Sequence, residues 1–172
     1  MIAEKCSGAA LRYVAVSSKT KGQVEDYLKR RGFMLSDIEE ALAMLEEYGY
    51  IDDRKYCCDY YLYGCRKGRG RRRIEQELES KKISRIVIRE SLDEFLSEEN
   101  PDYCQIIEET LTEKDRARAV GEKMLKEQVA SGKAVDKNFC AKVGRRLTAM
   151  GYDGGVIYSV IGYVMKSGEG SL

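Results

Sequence analysis

One pattern of apolar residues occurs three times in this chain, and it constrains the fold more than any other feature. The copies are related by constant shifts of 50 and 119 positions, with no gap inside the pattern. A repeat of this length predicts an array of like units that bury their apolar faces against one another. Such an array offers partners a long surface rather than one deep pocket. The repeated positions are Val24, Leu28, Phe33, Ile38 and Leu42, then Ile74, Leu78, Ile83, Ile88 and Leu92, then Val143, Leu147, Tyr152, Ile157 and Ile161.

The polar residues between these positions predict that each unit consists of three short helices. Thr20 and Gln23 have the spacing of a capping box, in which each side chain bonds a free backbone amide at a helix start. Ser36 and Glu39 have the same spacing one helix later. Gly32, between these two helices, suits the left-handed residue that commonly ends a helix. We therefore predict an all-α fold.

Turn residues and composition divide the chain into three units and two further segments. Residues 97–111 contain the only proline and many acidic side chains. This favours an acidic linker that ends in a short helix, with Ile106, Ile107 and Leu111 on its apolar side. The predicted architecture is three tandem three-helix repeats, similar to helix-turn-helix modules, in an elongated, curved array. The predicted ranges are 9–52 for the first repeat, 53–96 for the second, 97–111 for the linker, 112–166 for the third repeat and 167–172 for a disordered tail.

Lys82 breaks the pattern at the end of a second helix. The equivalent positions in the other two units are Gly32 and Gly151. A lysine in the left-handed conformation costs roughly 1 kcal/mol. We therefore expect this corner of the second unit to have a different shape.

The composition argues against an enzyme and against a secreted or membrane protein. The chain has no histidine, which removes the usual general base near neutral pH. No nucleophile-elbow, Walker A or dinucleotide-binding motif is present, and the six cysteines lack the spacing of a zinc site. No apolar run reaches the roughly 18 residues of a membrane span, and the N-terminus does not resemble a secretory signal. We expect a cytoplasmic protein with reduced cysteines, no metal and no cofactor.

The net charge of +1 hides a concentration of basic residues. The segment that we call the basic loop, residues 66–73, contains two glycines and runs into the start of a helix predicted from Arg71 to Lys81. Exposed backbone amides, the positive end of a helix and arginine side chains together suit a phosphate or a cluster of carboxylates. The alternative is a solvated turn. The predicted contact residues are Arg66, Lys67, Arg69, Arg71, Arg72 and Arg73 in the loop, and Arg145 and Arg146 in the third repeat. The run Lys29, Arg30 and Arg31 is a weaker candidate, for which a solvated surface is the preferred interpretation.

Six tyrosines surround the junction of the first two units. Aromatic rings at such positions can stack on bases. We favour packing between helices as their role, with the hydroxyl groups at the edge of the core. The residues are Tyr48, Tyr50, Tyr56, Tyr60, Tyr61 and Tyr63.

Several short motifs, in the same order and spacing, resemble the RecX family of regulatory proteins. They are LKRRGF at residues 28–33, LEEYGYIDD at 45–53, GRGRRRI at 68–74 with Glu77 and Leu78, and LTAMGY at 147–152 with Ile157. The sequence departs from the family pattern at Lys82, at KYC in residues 55–57 and at Gly154 and Gly155, and residues 97–111 are hard to align. The resemblance covers most of the chain.

The resemblance implies a fold of three tandem three-helix repeats and a role in DNA repair, recombination and the SOS response. The implied partners are the RecA recombinase and its filament on single-stranded DNA. RecX proteins block filament growth or favour disassembly, and thereby lower recombinase, ATPase and coprotease activity. The family has no catalytic residues. A closed array of three units is expected to be monomeric.

Two other kinds of function remain open on the sequence alone. Three-helix units with an arginine-rich second helix also resemble helix-turn-helix readers of DNA. The nearly neutral net charge argues against a dedicated DNA-binding module. A helical adaptor for another protein is the third possibility.

Overall fold

The protein is all-helical in this computed structural model, which describes residues 2–169, with side chains from residue 5 to residue 168. Ten helices and no strand lie in that part of the chain, which confirms the predicted fold class. The helices are α1 (Ile2–Val14), α2 (Lys21–Arg30), α3 (Leu35–Glu47), α4 (Asp53–Arg66), α5 (Arg71–Ser80), α6 (Arg85–Phe95), α7 (Tyr103–Thr110), α8 (Glu113–Ala130), α9 (Lys137–Ala149) and α10 (Gly154–Glu169).

Two compact units share these helices. Unit 1 contains the described residues up to Tyr60 together with Gln76–Phe95. Unit 2 contains Tyr61–Glu75 together with the described residues from Leu96 onward. The division passes through α4 and α5, so each of these helices has one part in each unit. The second repeat therefore supplies core residues to both.

The repeated apolar positions form the cores, as predicted. In unit 1, Val24 and Leu28 of α2 are fully buried against Ile38 and Leu45 of α3 and against the small residues of α1. Each such side chain contributes roughly 2 kcal/mol when it leaves water. All the repeated positions are buried except three that are partly buried, namely Phe33, Ile157 and Ile161.

In the third repeat a different register of the last helix forms the core. Val160 and Val164 of α10 are buried where the pattern predicted Ile157 and Ile161. The reason lies in α8, where Gly121 lets α10 approach closely. A Cβ atom at this glycine would lie 2.5 Å from Val160 Cγ1.

The start of α2 has the predicted capping box. The Thr20 hydroxyl accepts a hydrogen bond from the Gln23 amide at 3.2 Å, and the Thr20 amide donates to Gln23 Oε1 at 3.1 Å. The second predicted box is wrong. Helix α3 begins at Leu35, after Met34, so Ser36 lies inside the first turn and the N-cap residue makes no side-chain bond. The extended backbone after the Gly32 turn, rather than a capping side chain, determines where α3 begins.

The corner at Lys82 has the same shape as the corners at the equivalent glycines, so the expected difference is wrong. The φ angle is 69° at Lys82, 78° at Gly32 and 81° at Gly151. The lysine therefore bears a strain of roughly 1 kcal/mol. Its ammonium group lies 3.4 Å from the Asp26 carboxylate.

The first and second repeats meet at a contact that we call joint 1. The Thr20 hydroxyl, at the start of α2, donates to the Lys81 carbonyl oxygen at 2.5 Å. Gly22 packs directly on Lys82, because a Cβ at Gly22 would lie 2.6 Å from the Lys82 carbonyl oxygen. The start of one second helix thus rests on the turn that ends the next one.

The second and third repeats meet in the same way, at joint 2. The Gly70 amide donates to the Met150 carbonyl oxygen at 2.8 Å, and the Arg72 amide donates to the Gly151 carbonyl oxygen at 3.2 Å. Gly70 is equivalent to Thr20, and Met150 is equivalent to Lys81. In joint 1 the glycine is on the helix and faces Lys82, whereas in joint 2 Gly151 is in the turn and faces Arg73.

Several boundaries differ from the predicted ones. Helix α1 begins at Ile2, earlier than the predicted start at residue 9. The short helix of the predicted linker is present as α7 and buries Ile106, but Leu111 is 52% exposed. Helix α10 continues to Glu169, past the predicted end of the third repeat at 166. The rest of the predicted disordered tail, residues 170–172, lies outside the described residues.

All six cysteines are free thiols in the structure, and four of them are buried. Burial, together with the neighbouring Cys58 thiol, raises the pKa of Cys57 to about 12. Between residues 5 and 168 no group of three or more side chains has the composition and placement to hold a metal ion. None of the described helices has the length and apolar character that a membrane crossing requires.

Candidate partner-binding surface

The basic loop is built by the end of α4, a left-handed turn and the start of α5. The amides of Lys67, Gly68 and Arg69 all donate to carbonyl oxygens of the last turn of α4, at 2.8–3.2 Å. The φ angle of 69° at Gly68 reverses the chain. This closed turn fixes the direction in which the basic side chains leave the backbone.

The backbone amides at the start of α5 are occupied by protein acceptors. The Gly70 and Arg72 amides donate to carbonyl oxygens of Met150 and Gly151, in the turn that follows α9 in joint 2. The Arg71 amide donates to Glu113 Oε1 at 3.0 Å. The sequence predicted that these amides would face a ligand. That prediction is wrong for three of them, because they already donate to protein acceptors.

Most of the basic side chains of the loop also contact the protein itself. Arg66 pairs with Glu109, Arg71 with Glu75 at 2.7 Å, and Arg72 with Asp153 at 2.7 Å. Lys67 and Arg69 lie over the ring of Tyr63, at 5.7 and 5.5 Å from its centroid. Arg73 Nη1 lies 3.4 Å from the Ala149 carbonyl oxygen. The ion pairs reduce the positive potential of the loop, although the side chains of Arg66 and Arg72 remain more than half exposed.

Asp153 connects the loop to the third repeat. Its carboxylate accepts a hydrogen bond from the Gly155 amide at 2.8 Å and thereby caps α10, as predicted. That bond, reinforced by the Arg72 guanidinium, holds the pKa of Asp153 below its usual value. The carboxylate therefore stays charged, and Arg72 stays paired, throughout the physiological pH range.

Arg145 and Arg146 are the predicted contact residues with the least internal pairing. Both are exposed on α9. Arg146 lies one helical turn before Met150, whose carbonyl oxygen accepts a hydrogen bond from the Gly70 amide in joint 2. Among the described residues, neither has an acidic side chain within 4.0 Å.

The weaker candidates, residues 29–31, belong to unit 1 rather than to unit 2. Lys29 pairs with Glu25 at 2.5 Å, and Arg30 Nε donates to the Asp26 carbonyl oxygen at 3.2 Å. The Arg31 guanidinium lies 4.9 Å from the centroid of the Tyr27 ring. These contacts along α2 are those of a solvated helix face.

The six tyrosines do not share one role. Tyr61 is buried, and burial raises its pKa to about 12. Tyr56 and Tyr60 are partly buried and stack at 6.1 Å between ring centroids. The packing prediction is wrong for Tyr48 and Tyr50, because the side chain of Tyr48 is 70% exposed and that of Tyr50 is 56% exposed. Tyr63, also exposed, supports the cations of the basic loop.

Arg116, a functional candidate that the sequence pattern does not indicate, is buried beneath this surface. Its Nη1 donates to the carbonyl oxygens of Thr110 and Leu111, at 2.9 and 2.7 Å, and so closes the turn between α7 and α8. Tyr61 and Cys65, near the end of α4, lie beside it. Its exposure of 8% is unusual for an arginine, and no local pattern distinguishes it from the exposed arginines around it.

The fold and this surface define a class of protein. The chain consists of three-helix repeats joined from second helix to second helix, with exposed cations at a joint. It has no cluster of metal ligands between residues 5 and 168. The features that are present, three-helix repeats and an exposed basic surface, are those of a helical repeat protein.

Comparison with known proteins identifies the family. A model described as the first three-helix domain of RecX matches residues 6–45, and one described as the second matches residues 52–92. The Regulatory protein RecX of Clostridium tetani is 31% identical over 163 residues, which cover 95% of this chain and 68% of the relative. The protein of that name from Vibrio campbellii is 32% identical, over 80% of this chain and 78% of the relative. The chain belongs to the RecX family.

A solved structure supports the fold independently. The crystal structure of RecX from Lactobacillus salivarius superposes with a TM-score of 0.76, covering 95% of this chain and 96% of the other. The two sequences are 20% identical, so this likeness concerns the fold alone.

Proposed function

We propose that this chain is a cytoplasmic regulatory protein that binds the RecA recombinase, or the RecA filament on single-stranded DNA. Binding would lower recombinase, ATPase and coprotease activity by blocking filament growth or promoting disassembly. The observation that carries the proposal is the relationship, over most of the chain, to proteins named Regulatory protein RecX. The protein is proposed to act as a monomer, without a cofactor and without catalysis of its own.

The contact surface that we propose comprises the exposed cations around joint 2. A filament of recombinase on DNA presents phosphates and acidic side chains, both of which attract arginine. Arg145 and Arg146 are available without breaking an ion pair in the described structure, whereas Arg66 and Arg72 must exchange an internal carboxylate for an external anion. We therefore expect the α9 arginines to contribute more per residue than those of the loop.

ATP hydrolysis by the cognate RecA on single-stranded DNA, titrated with this protein, tests the proposal. Inhibition well below one molecule per RecA would support a block of filament growth or disassembly. Inhibition that appears only near saturation would support coating of the filament. Unchanged hydrolysis, with folded protein and active RecA, would contradict the proposed function.

A triple variant tests the proposed surface. We expect Arg66→Ala, Arg72→Ala and Arg145→Ala together to raise the concentration for half-inhibition about tenfold, because exposed charges contribute roughly 0.5 kcal/mol each on average, with the larger share from Arg145. The matched control is Arg85→Ala, which removes an exposed arginine of α6 that also pairs with an acid, Glu79. Equal inhibition by the triple variant and the control would exclude this surface.

A sequence-reading DNA-binding module is the second candidate, favoured by the arginine-rich start of α5. In helix-turn-helix readers, the first residues of the recognition helix contact the base edges. In this structure the start of α5 is packed into joint 2 and its amides are occupied, which argues against the same use of α5. A steep salt dependence of binding to naked duplex, with a sequence preference, would favour this candidate.

A further inference from the structure

A groove in the third repeat, distinct from the basic loop, has the properties of a peptide-binding site. Helices α8 and α9, with the connection between them, enclose a volume of about 520 Å³. Sites of roughly 300–1,000 Å³ are typical for ligands that are largely buried on binding. All of its lining residues belong to unit 2.

The length of α8 creates the groove. This helix has 18 residues, whereas the first helices of the other repeats, α1 and α4, have 13 and 14. Its last turn is bonded to the connection that follows, because Gln128 Nε2 donates to the Ala134 carbonyl oxygen at 2.8 Å and the Lys133 amide donates to the Gln128 carbonyl oxygen at 3.2 Å. The wall of the groove is therefore formed before any partner arrives.

The floor of the groove is apolar. It is formed by Val120, Met124 and Met150, which are partly buried, and by Phe139, which is only 4% exposed. Methionine side chains adapt to apolar groups of different shape. Because the phenylalanine ring is already covered, the floor suits aliphatic side chains better than stacked bases.

The rim of the groove is basic. Lys123, Lys133, Lys142 and Arg146 line it, and all four are exposed. Within residues 5–168, none of the four has a carboxylate within 4.0 Å, in contrast to Arg66 and Arg72 of the basic loop. A binding site with unpaired cations around an apolar floor attracts carboxylates that flank apolar side chains.

We propose that this groove binds an acidic segment of a partner protein, one in which leucine-like side chains alternate with carboxylates. The apolar side chains fill the floor, and the carboxylates pair with the four cations of the rim. The proposal extends the proposed function and does not depend on RecA being the partner.

The test uses the full chain and a short fluorescein-labelled peptide that contains glutamate and leucine in alternation, with binding followed by fluorescence anisotropy. We expect saturable binding that weakens about tenfold or more in the variant Lys142→Glu with Arg146→Glu, because each reversal replaces an attraction by a repulsion. The matched control, Lys126→Glu with Lys137→Glu, reverses two exposed lysines that do not line the groove, and it should change affinity less than about twofold.

A second peptide tests the floor without any change in the protein. Replacement of its leucines by serines should abolish most of the binding, since carboxylates alone gain only exposed ion pairs. Equal binding of both peptides, equal effects of the two double variants, or no saturable binding would overturn the proposal. Tighter binding of oligothymidylate that is lost in the groove variant would also overturn it, in favour of nucleic acid. Each result can be obtained whether or not the chain inhibits RecA.

Discussion

Replacement of Thr20 by valine tests whether joint 1 stabilises the fold. Thr20 is completely buried, and its hydroxyl makes two bonds at once. It accepts from the Gln23 amide at 3.2 Å and donates to the Lys81 carbonyl oxygen at 2.5 Å. Valine preserves the shape of threonine and removes both bonds.

The expected loss follows from these two bonds. Loss of the N-cap bond costs about 1 kcal/mol, and loss of a buried hydrogen bond to the carbonyl of the next repeat costs about 1 kcal/mol more. Thr20→Val should therefore lower the free energy of unfolding by about 2 kcal/mol. Thr20→Ser keeps the hydroxyl and removes one buried methyl group, so it should cost only about 0.8 kcal/mol.

Urea denaturation measures both variants, with the free energy extrapolated to water. The chain has no tryptophan, but Tyr13 and Tyr27 stack at 4.1 Å in unit 1 and give a near-ultraviolet circular dichroism signal for that unit. Far-ultraviolet circular dichroism reports all the helices. Valine and serine variants of equal stability would refute the reasoning, because the hydroxyl would then contribute nothing.

Three further predictions concern other parts of the molecule. Gly22→Ala should destabilise the fold by about 1–3 kcal/mol, since the new Cβ would lie 2.6 Å from a carbonyl oxygen of joint 1. Gly162→Ala, where a Cβ would have no neighbour within 4 Å, should stabilise the fold by up to about 1 kcal/mol. Thermal unfolding of the two variants compares these effects. A thiol reagent should label the exposed Cys104 first and Cys57 only on unfolding, because Cys57 is buried and its pKa is about 12. Mass spectrometry of the labelled peptides measures the order, and early labelling of Cys57 would contradict the prediction. Below about pH 4, the free energy of unfolding of the wild type should fall more steeply than that of Asp153→Asn. A carboxylate whose pKa is lowered in the folded state loses its stabilising contribution as the pH falls through that pKa. Parallel pH dependences of the two proteins in urea titrations would argue against this prediction.

The cores could be predicted from the sequence because they depend on local periodicity. The apolar positions from Val24 to Leu42 repeat with helical spacing, and the copies bury most of the same positions, although in the last helix of the third repeat Val160 and Val164 are buried instead. The capping box at Thr20 is equally local. The residue at which α3 begins could not be predicted as well. The capping preference of Ser36 indicated a start at that residue, but after the turn at Gly32 the helix begins at Leu35.

The basic composition of the candidate surface could be predicted from the sequence, but the ion pairs that its arginines form could not. The basic loop is evident in the sequence, yet its partners Glu109 of α7 and Glu113 of α8 lie about forty residues away and become neighbours only through the packing of these two helices. Burial of Arg116 depends on the same packing. Ion pairs between distant segments leave no periodic signal in the sequence. The loop alone therefore predicted an open anion site, whereas in the structure carboxylates of the protein pair with most of its arginines.

The two joints also determine which repeats can follow one another. Joint 1 places Gly22 against the side chain of Lys82, and joint 2 places Arg72 and Arg73 against the bare backbone of Gly151. In a tandem duplication of the second repeat, Arg72 and Arg73 of one copy would pack against Lys82 of the other copy. Both sides of this contact would then carry side chains, whereas each natural joint has a glycine on one side. Gene duplication, the usual way in which repeat proteins grow, would here produce a steric conflict at the first new junction.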